Sequence, residues 1–506
     1  MKKKAFSGEY IYTNMLNICT LAQFIQKCNR QNLFVLANNE SGFNPCLCRR
    51  FCYIPAIVKF FDDGKSMIKL NSKKIAEIVG SPMVVVDADI DEVVTDSRVA
   101  KRGDLFIAIK GEKFDGHDFV KDVISRGVEV VVVQKQLPDV PAVRQIVVPD
   151  TLIAYGKIGR YVRRQFKGKV IALTGSAGKT TTKEELKFAL SQFAPTYATG
   201  GNHNNFVGVP ETLCKLDMNA AYAIIEMGMS AKGEIARLVS FTEPDIAVVT
   251  NVYPMHIEFF DSFEGIAEAK AEIFGGLPKD GGTAVINADT DFADILEKRA
   301  AEHGAKIVKF GRDFHPDVRL ELSEEGEHHL YNAWCVLSVI AELGLDVNRA
   351  AAALKNFGAL DGRGKKHLLH TAAGAEYTLI DDSYSGQPEA MKLAIKSLSG
   401  MKCGGRRIAV LGKMAELGAH SQEKHIEIGR VLAESSVDVV VGVKPETQDM
   451  LAQLPERIER HYFENKDGLD EFLLNKLLQN NDIVLIKGAR YSSELYKVTE
   501  SLIKHG

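Results

Sequence analysis

The sequence predicts an α/β protein: parallel sheets covered by helices, divided into about three domains. Three observations carry that expectation. From residue 67 onward, short runs rich in Val and Ile alternate with helical patterns. One such run leads through the glycine-containing loop TGSAGKTTTKE (174–184) into a helix. The chain is also 506 residues long, too many for one core at roughly 150 residues per domain.

Composition narrows the function classes. Apolar residues make up 45% and charged residues 25%, the mix of a soluble globular protein. A net charge of −3 supplies no basic field for nucleic acid or an anionic membrane. No apolar run approaches the roughly 18 residues of a membrane span, and MKKKAFSGEYIYTN is not followed by a signal-peptide core. A cytoplasmic protein with reduced thiols is expected.

Along the chain, residues 1–66 hold five of the eight cysteines, Cys19, Cys28, Cys46, Cys48 and Cys52. The spacing in CLCRRFC lacks the paired C-x₂-C or nearby His of a zinc site. These residues read as an N-terminal extension to which no function is assigned. Met67 opens MIKLNSKKIAEIVGS, a strand and then a helix. The runs VEVVVV (128–133), KVIALTG (169–175), AAYAIIEMG (220–228), PDIAVVTNV (244–252) and GTAVINAD (282–289) follow, with helical stretches such as KEELKFALSQF and FEGIAEAKAEIFGGL between them. RRIAVLGKM (406–414), VDVVVGV (437–443) and NDIVLIKGAR (481–490) form a second group, read as a separate α/β domain. Gly- and Lys-rich stretches near 166 and 362 mark the boundaries, giving domains over 67–166, 167–364 and 365–506.

The strand–loop–helix KVIALTGSAGKTTTKEELKFAL is a phosphate-binding pattern. Gly175 and Gly178, with Ser176 and Ala177 between them, let the backbone turn its N–H groups inward at a helix start. Lys179 reaches the outer phosphates, and the hydroxyl of Thr180 or Thr181 can ligate Mg²⁺. The register is T-G-x-x-G-K-T-T, since Leu173 stands where the strict motif has Gly. Kinases, pumps, switches and ligases all use such loops, so the loop alone does not choose among them.

Other residues qualify the choice. Glu226 ends a buried-looking strand, where a carboxylate can hold Mg²⁺ beside the phosphates or simply face solvent. His256, after the next strand, is a candidate for a second metal or an ordinary packed residue. GGNHNNFVGVPETL (200–213) brings Asn204 and Asn205, whose amides suit a polar substrate. Lys270, flanked by Glu268 and Glu272 on an amphipathic helix, reads by pattern as part of a solvated face.

From about residue 67 to the end, an ordered set of motifs resembles the Mur ligases, the ATP-dependent amide-forming enzymes of peptidoglycan synthesis. The set comprises VTDSR (94–98), GDLFIAIKGEKFDGHDF (103–119), the phosphate loop, GNHNNFVGVP, IIEMGM, TNVYPMHIEFF, EAKAEIF, VINADTD, GEHHLYNAW, DGRGK, IDDSYSGQPEAM, VLGKMAELG and LIKGAR. DDSY with LGKMAELG is most similar to the branch that adds D-alanyl-D-alanine. The resemblance implies a three-domain Mur ligase architecture: a UDP-substrate domain, a central P-loop ATPase-like parallel sheet and a Rossmann-like C-terminal domain. It implies ATP, two Mg²⁺ ions, and UDP-N-acetylmuramoyl-tripeptide and D-alanyl-D-alanine as substrates, in a monomer.

It further implies that Thr95, Ser97 and Arg98 bind the uridine-nucleotide substrate, that Asn287 and Asn332 face adenine, and that Arg363 and Asp382 reach the nucleotide from the hinge and the C-terminal domain. Lys179, Glu226, His256 and Lys270 become catalytic, with Lys270 carrying a CO₂-derived carbamate; this reverses the solvated-face reading. A substrate carboxylate would take the γ-phosphate of ATP, and an amine would then attack the acyl phosphate. The chain departs from the family pattern at Ser385–Gly386–Gln387, at Lys413, at Ala489 and in a short stretch from 311 to 326 that looks to lack strands. Two other readings stand beside this one: the sister ligase adding diaminopimelate or lysine, and an inactive nucleotide-binding scaffold.

Overall fold

A computed structural model describes residues 67–111, 114–253, 260, 262–323 and 326–505. The extension 1–66, with its cysteine cluster, lies outside the described residues, as does His256. An antiparallel ribbon of β1 (Leu70–Asn71) and β2 (Asp89–Ile90) precedes three larger sheets. The helix Ser72–Val79 starts where the Asn71 side chain accepts from the N–H of Lys73, and it stops at Gly80, whose φ of 76° is easy only for glycine.

The first sheet is parallel in the order β3 (Glu92–Val94), β4 (Asp104–Ile107), β5 (Val130–Val133), β6 (Gln145–Val147). The central sheet uses β7 (Lys169–Thr174), β8 (Thr196–Ala198), β9 (Tyr222–Glu226), β10 (Ile246–Val249), β11 (Thr283–Asn287) and β12 (Lys306–Phe310). Its order is β12-β11-β10-β7-β9-β8, parallel throughout. The third contains β13 (Lys365–His370), β14 (Glu376–Asp382), β15 (Arg407–Gly412), β16 (Val439–Val443), β17 (Glu459–Phe463) and β18 (Asp482–Lys487). It runs β13-β14-β18-β15-β16-β17, and only the β13–β14 pairing is antiparallel.

The strand alternation explains why the apolar runs are continuous. In β7, Val170 and Ala172 face one core with Val209 and Leu213, while Ile171 and Leu173 face another with Leu186 and Val336. A strand covered on both sides has no polar face to show, so period-2 alternation is absent from its sequence. The helix Thr151–Gln165 lies close on the first of these cores. Gly156 and Gly159 make that approach possible, because a Cβ at 156 would stand 2.2 Å from the Phe241 ring.

Between β12 and the helix Glu327–Glu342 the described residues form no strand of the sheet; Val318, Leu320 and Leu322 pack against the core instead. The short stretch noted in the sequence is thus a plain connection. Among the described residues no helix is long and apolar enough to cross a membrane.

Candidate functional site

A cleft of about 970 Å³ is lined by residues of both the central and the C-terminal sheets. On the central side β7 delivers the phosphate loop. Gly178 has φ 76°, a backbone state that favours glycine, and a Cβ at Gly175 would stand 1.9 Å from Thr250 Oγ1. The loop is clamped from β10: the Asn251 side chain accepts from the N–H of Ala177 at 2.7 Å and donates to its carbonyl at 3.0 Å. Ser176 Oγ donates to the carbonyl of Tyr253 and accepts from its N–H. Lys179 Nζ donates to Gly175 O at 2.8 Å; burial pulls its pKa down, and the Glu226 charge opposes that.

Glu226 is placed by register. It pairs with Leu173 across β9 and β7, so its carboxylate emerges beside the loop. It is buried, and Oε1 accepts from Asn204 Nδ2 at 2.8 Å and from Thr180 Oγ1 at 3.2 Å. Oε2 lies 3.6 Å from Lys183 Nζ and has no hydrogen-bond partner. Of the two threonines after Lys179, Thr180 is the one bonded to Glu226; Thr181 also lines the cleft. The two neighbouring asparagines divide their work: Asn205 Oδ1 accepts from the N–H groups of Val207 and Gly208, where the next helix begins.

Lys270 does not lie on a solvated face: it is 2% exposed, near the end of the helix Phe263–Ala271. Burial, with Lys179 nearby, holds its amine well below the ordinary lysine range. Asn287 and Asn332 are both buried in the cleft lining. Asn287 donates to Thr250 O and accepts from the N–H of Asp289, while Asn332 accepts from Thr182 Oγ1 and backs onto Gly178.

The C-terminal wall consists of the loops after β14, β15 and β18. Asp382, at the end of β14, accepts from the buried Lys487 at 2.7 Å; burial pushes its carboxyl up while Lys487 and Arg363 pull it back. The Tyr384 ring has the Arg363 guanidinium 4.2 Å and the Arg490 guanidinium 5.3 Å from its centre. Arg363 also donates to Thr180 Oγ1 at 3.0 Å, joining the hinge segment to the phosphate-loop helix. Two of the departures in sequence have structural partners here. Lys413 is ion-paired with Glu446, and Gly386 packs so tightly that a Cβ would lie 2.3 Å from the N of Ala489.

The structure leaves Thr95, Ser97 and Arg98 outside the lining of this cleft. They follow β3, and Arg98 is 86% exposed with its guanidinium on Asp96, whose carboxyl it draws down to about 2. Sequence reasoning missed Lys183, Asn251, Tyr384 and Arg490. For Lys183 a signal existed: it lies in the stripe 182, 183, 186, 189, 190 that the helix Lys179–Leu190 turns inward. A buried lysine in such a stripe needs an acceptor, and it has one in the carbonyl of Gly201 at 3.0 Å.

Comparison with known proteins matches three stretches of the chain to family models: "Mur ligase family, catalytic domain" at 89–160, "Mur ligase middle domain" at 173–340 and "Mur ligase, glutamate ligase domain" at 367–490. The chain is 33% identical to the UDP-N-acetylmuramoyl-tripeptide–D-alanyl-D-alanine ligase of Escherichia coli K12, over 87% of this chain and 100% of that one. It is 32% identical to the Bacillus subtilis 168 protein of the same name, over 87% and 99%. Among solved structures it is similar to MurF from Acinetobacter baumannii, with TM-score 0.78 and 29% identity over 87% and 99% of the two chains. It is also similar to MurF ligase from Thermotoga maritima in complex with ADP, with TM-score 0.69 and 26% identity over 82% and 97%.

Proposed function

The chain belongs to the Mur ligase family, and from that premise we propose that it joins D-alanyl-D-alanine to UDP-N-acetylmuramoyl-tripeptide, converting ATP to ADP and phosphate by way of an acyl phosphate. The observation that carries the reading is one cleft lined by the phosphate loop, by Glu226 and by the C-terminal loops. It brings a nucleotide site and a second-substrate wall to a single space.

The reaction gathers anions: the γ-phosphate, the attacking carboxylate of the tripeptide and then the acyl phosphate. Lys179 and the loop N–H groups hold the phosphates, with Gly175, Ser176, Ala177 and Gly178 shaping the cradle. Thr180 and Glu226 suit Mg²⁺: a buried carboxylate oxygen without a hydrogen-bond partner stands beside a hydroxyl. That fits an ion held by one carboxylate, a hydroxyl and substrate phosphates. When bound, Mg²⁺ would neutralise phosphate charge. Thr181 and, for a second ion, His256 complete the assigned metal residues. Lys270, buried and pushed toward its neutral form, is in the state that combines with CO₂, and we assign it the carbamate.

Asn287 and Asn332 are assigned to the adenine side of the cleft, and Arg363 and Asp382 to the nucleotide from the hinge side. The Arg363–Thr180 bond couples the hinge segment to the phosphate helix, and closure of the C-terminal unit about that hinge excludes water from the acyl phosphate. Asn204, held on Glu226, faces the tripeptide end with Asn205, and Thr95, Ser97 and Arg98 are assigned to the uridine nucleotide. Working units of 67–166, 167–364 and 365–506, one per large sheet, follow from this assignment. ATP and UDP-linked substrates support a cytoplasmic location, and a monomer suffices because every assigned residue comes from one chain.

The test is phosphate release with ATP, Mg²⁺ and UDP-N-acetylmuramoyl-tripeptide, with and without D-alanyl-D-alanine, the product being weighed. Release that requires the dipeptide, with a product heavier by one dipeptide less water, is expected. Activity only with diaminopimelate or lysine on the shorter precursor would transfer the chain to the sister reaction, and silence with every amine would favour a scaffold.

A further inference from the structure

We propose that Arg490 anchors the terminal carboxylate of the incoming dipeptide, an assignment that rests on the ligase reading above. In the third sheet β14, β18 and β15 are neighbours, and the loops leaving their carboxyl ends converge on the cleft. Ligands of parallel sheets gather at that edge. Arg490 follows β18 directly, is half-buried, and is fixed by its N–H to the carbonyl of Tyr384 at 3.3 Å.

Among the three arginines that line the cleft, Arg312, Arg363 and Arg490, this one stands apart. Lys179 is on the phosphate loop, Arg312 is paired with Glu327, Lys487 with Asp382, and Arg363 donates to Thr180. Arg490 makes no ion pair among the described residues. Its guanidinium instead lies 4.3 Å from the centre of the Tyr496 ring and 5.3 Å from that of Tyr384. Stacking occupies the face of the guanidinium and leaves the in-plane N–H edge to donate, the geometry that receives a carboxylate in two parallel bonds.

A second observation points to the same ligand. Gln387 Oε1, in the loop after β14, is buried in the cleft lining and has no hydrogen-bond partner. A dipeptide zwitterion brings one carboxylate and one amine. This wall offers it one cation free of described carboxylates and one acceptor, which suits Arg490 for the carboxylate and Gln387 for the amine. Both residues stand in or beside the segments where the chain departs from its family, Ser385–Gly386–Gln387 and Ala489.

The experiment compares D-alanyl-D-alanine with D-alanyl-D-alaninamide, which lacks the anion, as substrates of the full-length enzyme and of Arg490→Gln and Arg490→Lys. The wild type should favour the free acid by roughly 10- to 100-fold in kcat/KM, the scale of a charged hydrogen-bonded contact. Arg490→Gln should raise KM for the dipeptide by a similar factor, leave KM for ATP and for the tripeptide within about twofold, and treat acid and amide alike. Arg490→Lys, which keeps the charge without the fork, should fall between, and it carries the test if the Gln variant fails to fold as judged by thermal unfolding. Preference for the acid that persists undiminished in Arg490→Gln and Arg490→Lys, or a KM increase on ATP instead, would overturn the assignment. A wild type that turns over neither dipeptide while accepting another amine would overturn the ligase reading for this substrate and, with it, this anchor.

Discussion

The central wall of the cleft fixes its polar groups through the main chain, whereas the C-terminal wall holds them by stacked side chains. On the central side Asn251 and Ser176 each bond twice to backbone, and Lys179 is seated on a carbonyl. On the other side Tyr384 lies between two arginines, and Tyr491 beside them is 75% exposed. Main-chain anchoring leaves little freedom to vary the side chains around a phosphate, since the geometry is set by turns that only certain residues make. Stacking by arginine and tyrosine tolerates exchange of the residues between. On the function proposed above, the difference would separate a wall for a polyphosphate from a wall for the incoming amine.

The largest break in that contrast should come from Lys179→Met. We expect kcat to fall by about 10³-fold while the thermal midpoint barely moves, because the side chain is only half-buried. Equal losses of activity and folding would make Lys179 a structural residue. Next comes Gly175→Ala. With a Cβ 1.9 Å from Thr250 Oγ1 and 3.3 Å from the N of Asn251, the loop must shift, and kcat/KM for ATP should fall by roughly 10²-fold. A variant with unchanged ATP kinetics would show that main-chain geometry is not what holds the phosphates.

Glu185 sharpens the comparison from behind the central wall. It is buried on the phosphate-loop helix, and burial raises its carboxyl from 4.5 to about 8. A raised folded-state pKa contributes stability that is complete below the unfolded value and is lost as pH rises through about 8. Glu185→Gln keeps the neutral form at every pH, so its thermal midpoint relative to wild type should climb between pH 5 and pH 8.5. A constant difference across that range would refute the neutral carboxyl. The smallest effect is expected from Lys413→Ala: its partner Glu446 is a partly exposed acid, and such a pair contributes at most about 1 kcal/mol. Unchanged KM values for all three substrates would confirm that this departure from the family leaves the amine wall intact.

Legibility in the sequence followed the same division. The phosphate loop could be read because its work requires glycines at fixed spacing after a strand, and Glu226 because a strand end projects its side chain to the ligand edge. Lys270 could not, because its flanking acids mimic a solvated face. In the structure Glu268 pairs with Arg299 and Glu272 accepts from the N–H groups of Gly233 and Ala236, while the lysine between them turns inward. Three sheets and their parallel order follow from strand and helix alternation, but the joining of Tyr384 to Arg490 does not. It depends on β14 and β18 lying side by side despite a separation of about a hundred residues in the chain, which no local pattern records.

Gly386 adds a constraint on lineage. A Cβ there would meet backbone atoms of Gly488 and Ala489, and no exchange of a neighbouring side chain removes a backbone atom. An alanine at this point would therefore force the two loops farther apart. Substitution at residue 386 is closed while the present spacing lasts, and the identity of this one residue serves as a gauge of how wide this wall of the cleft stands.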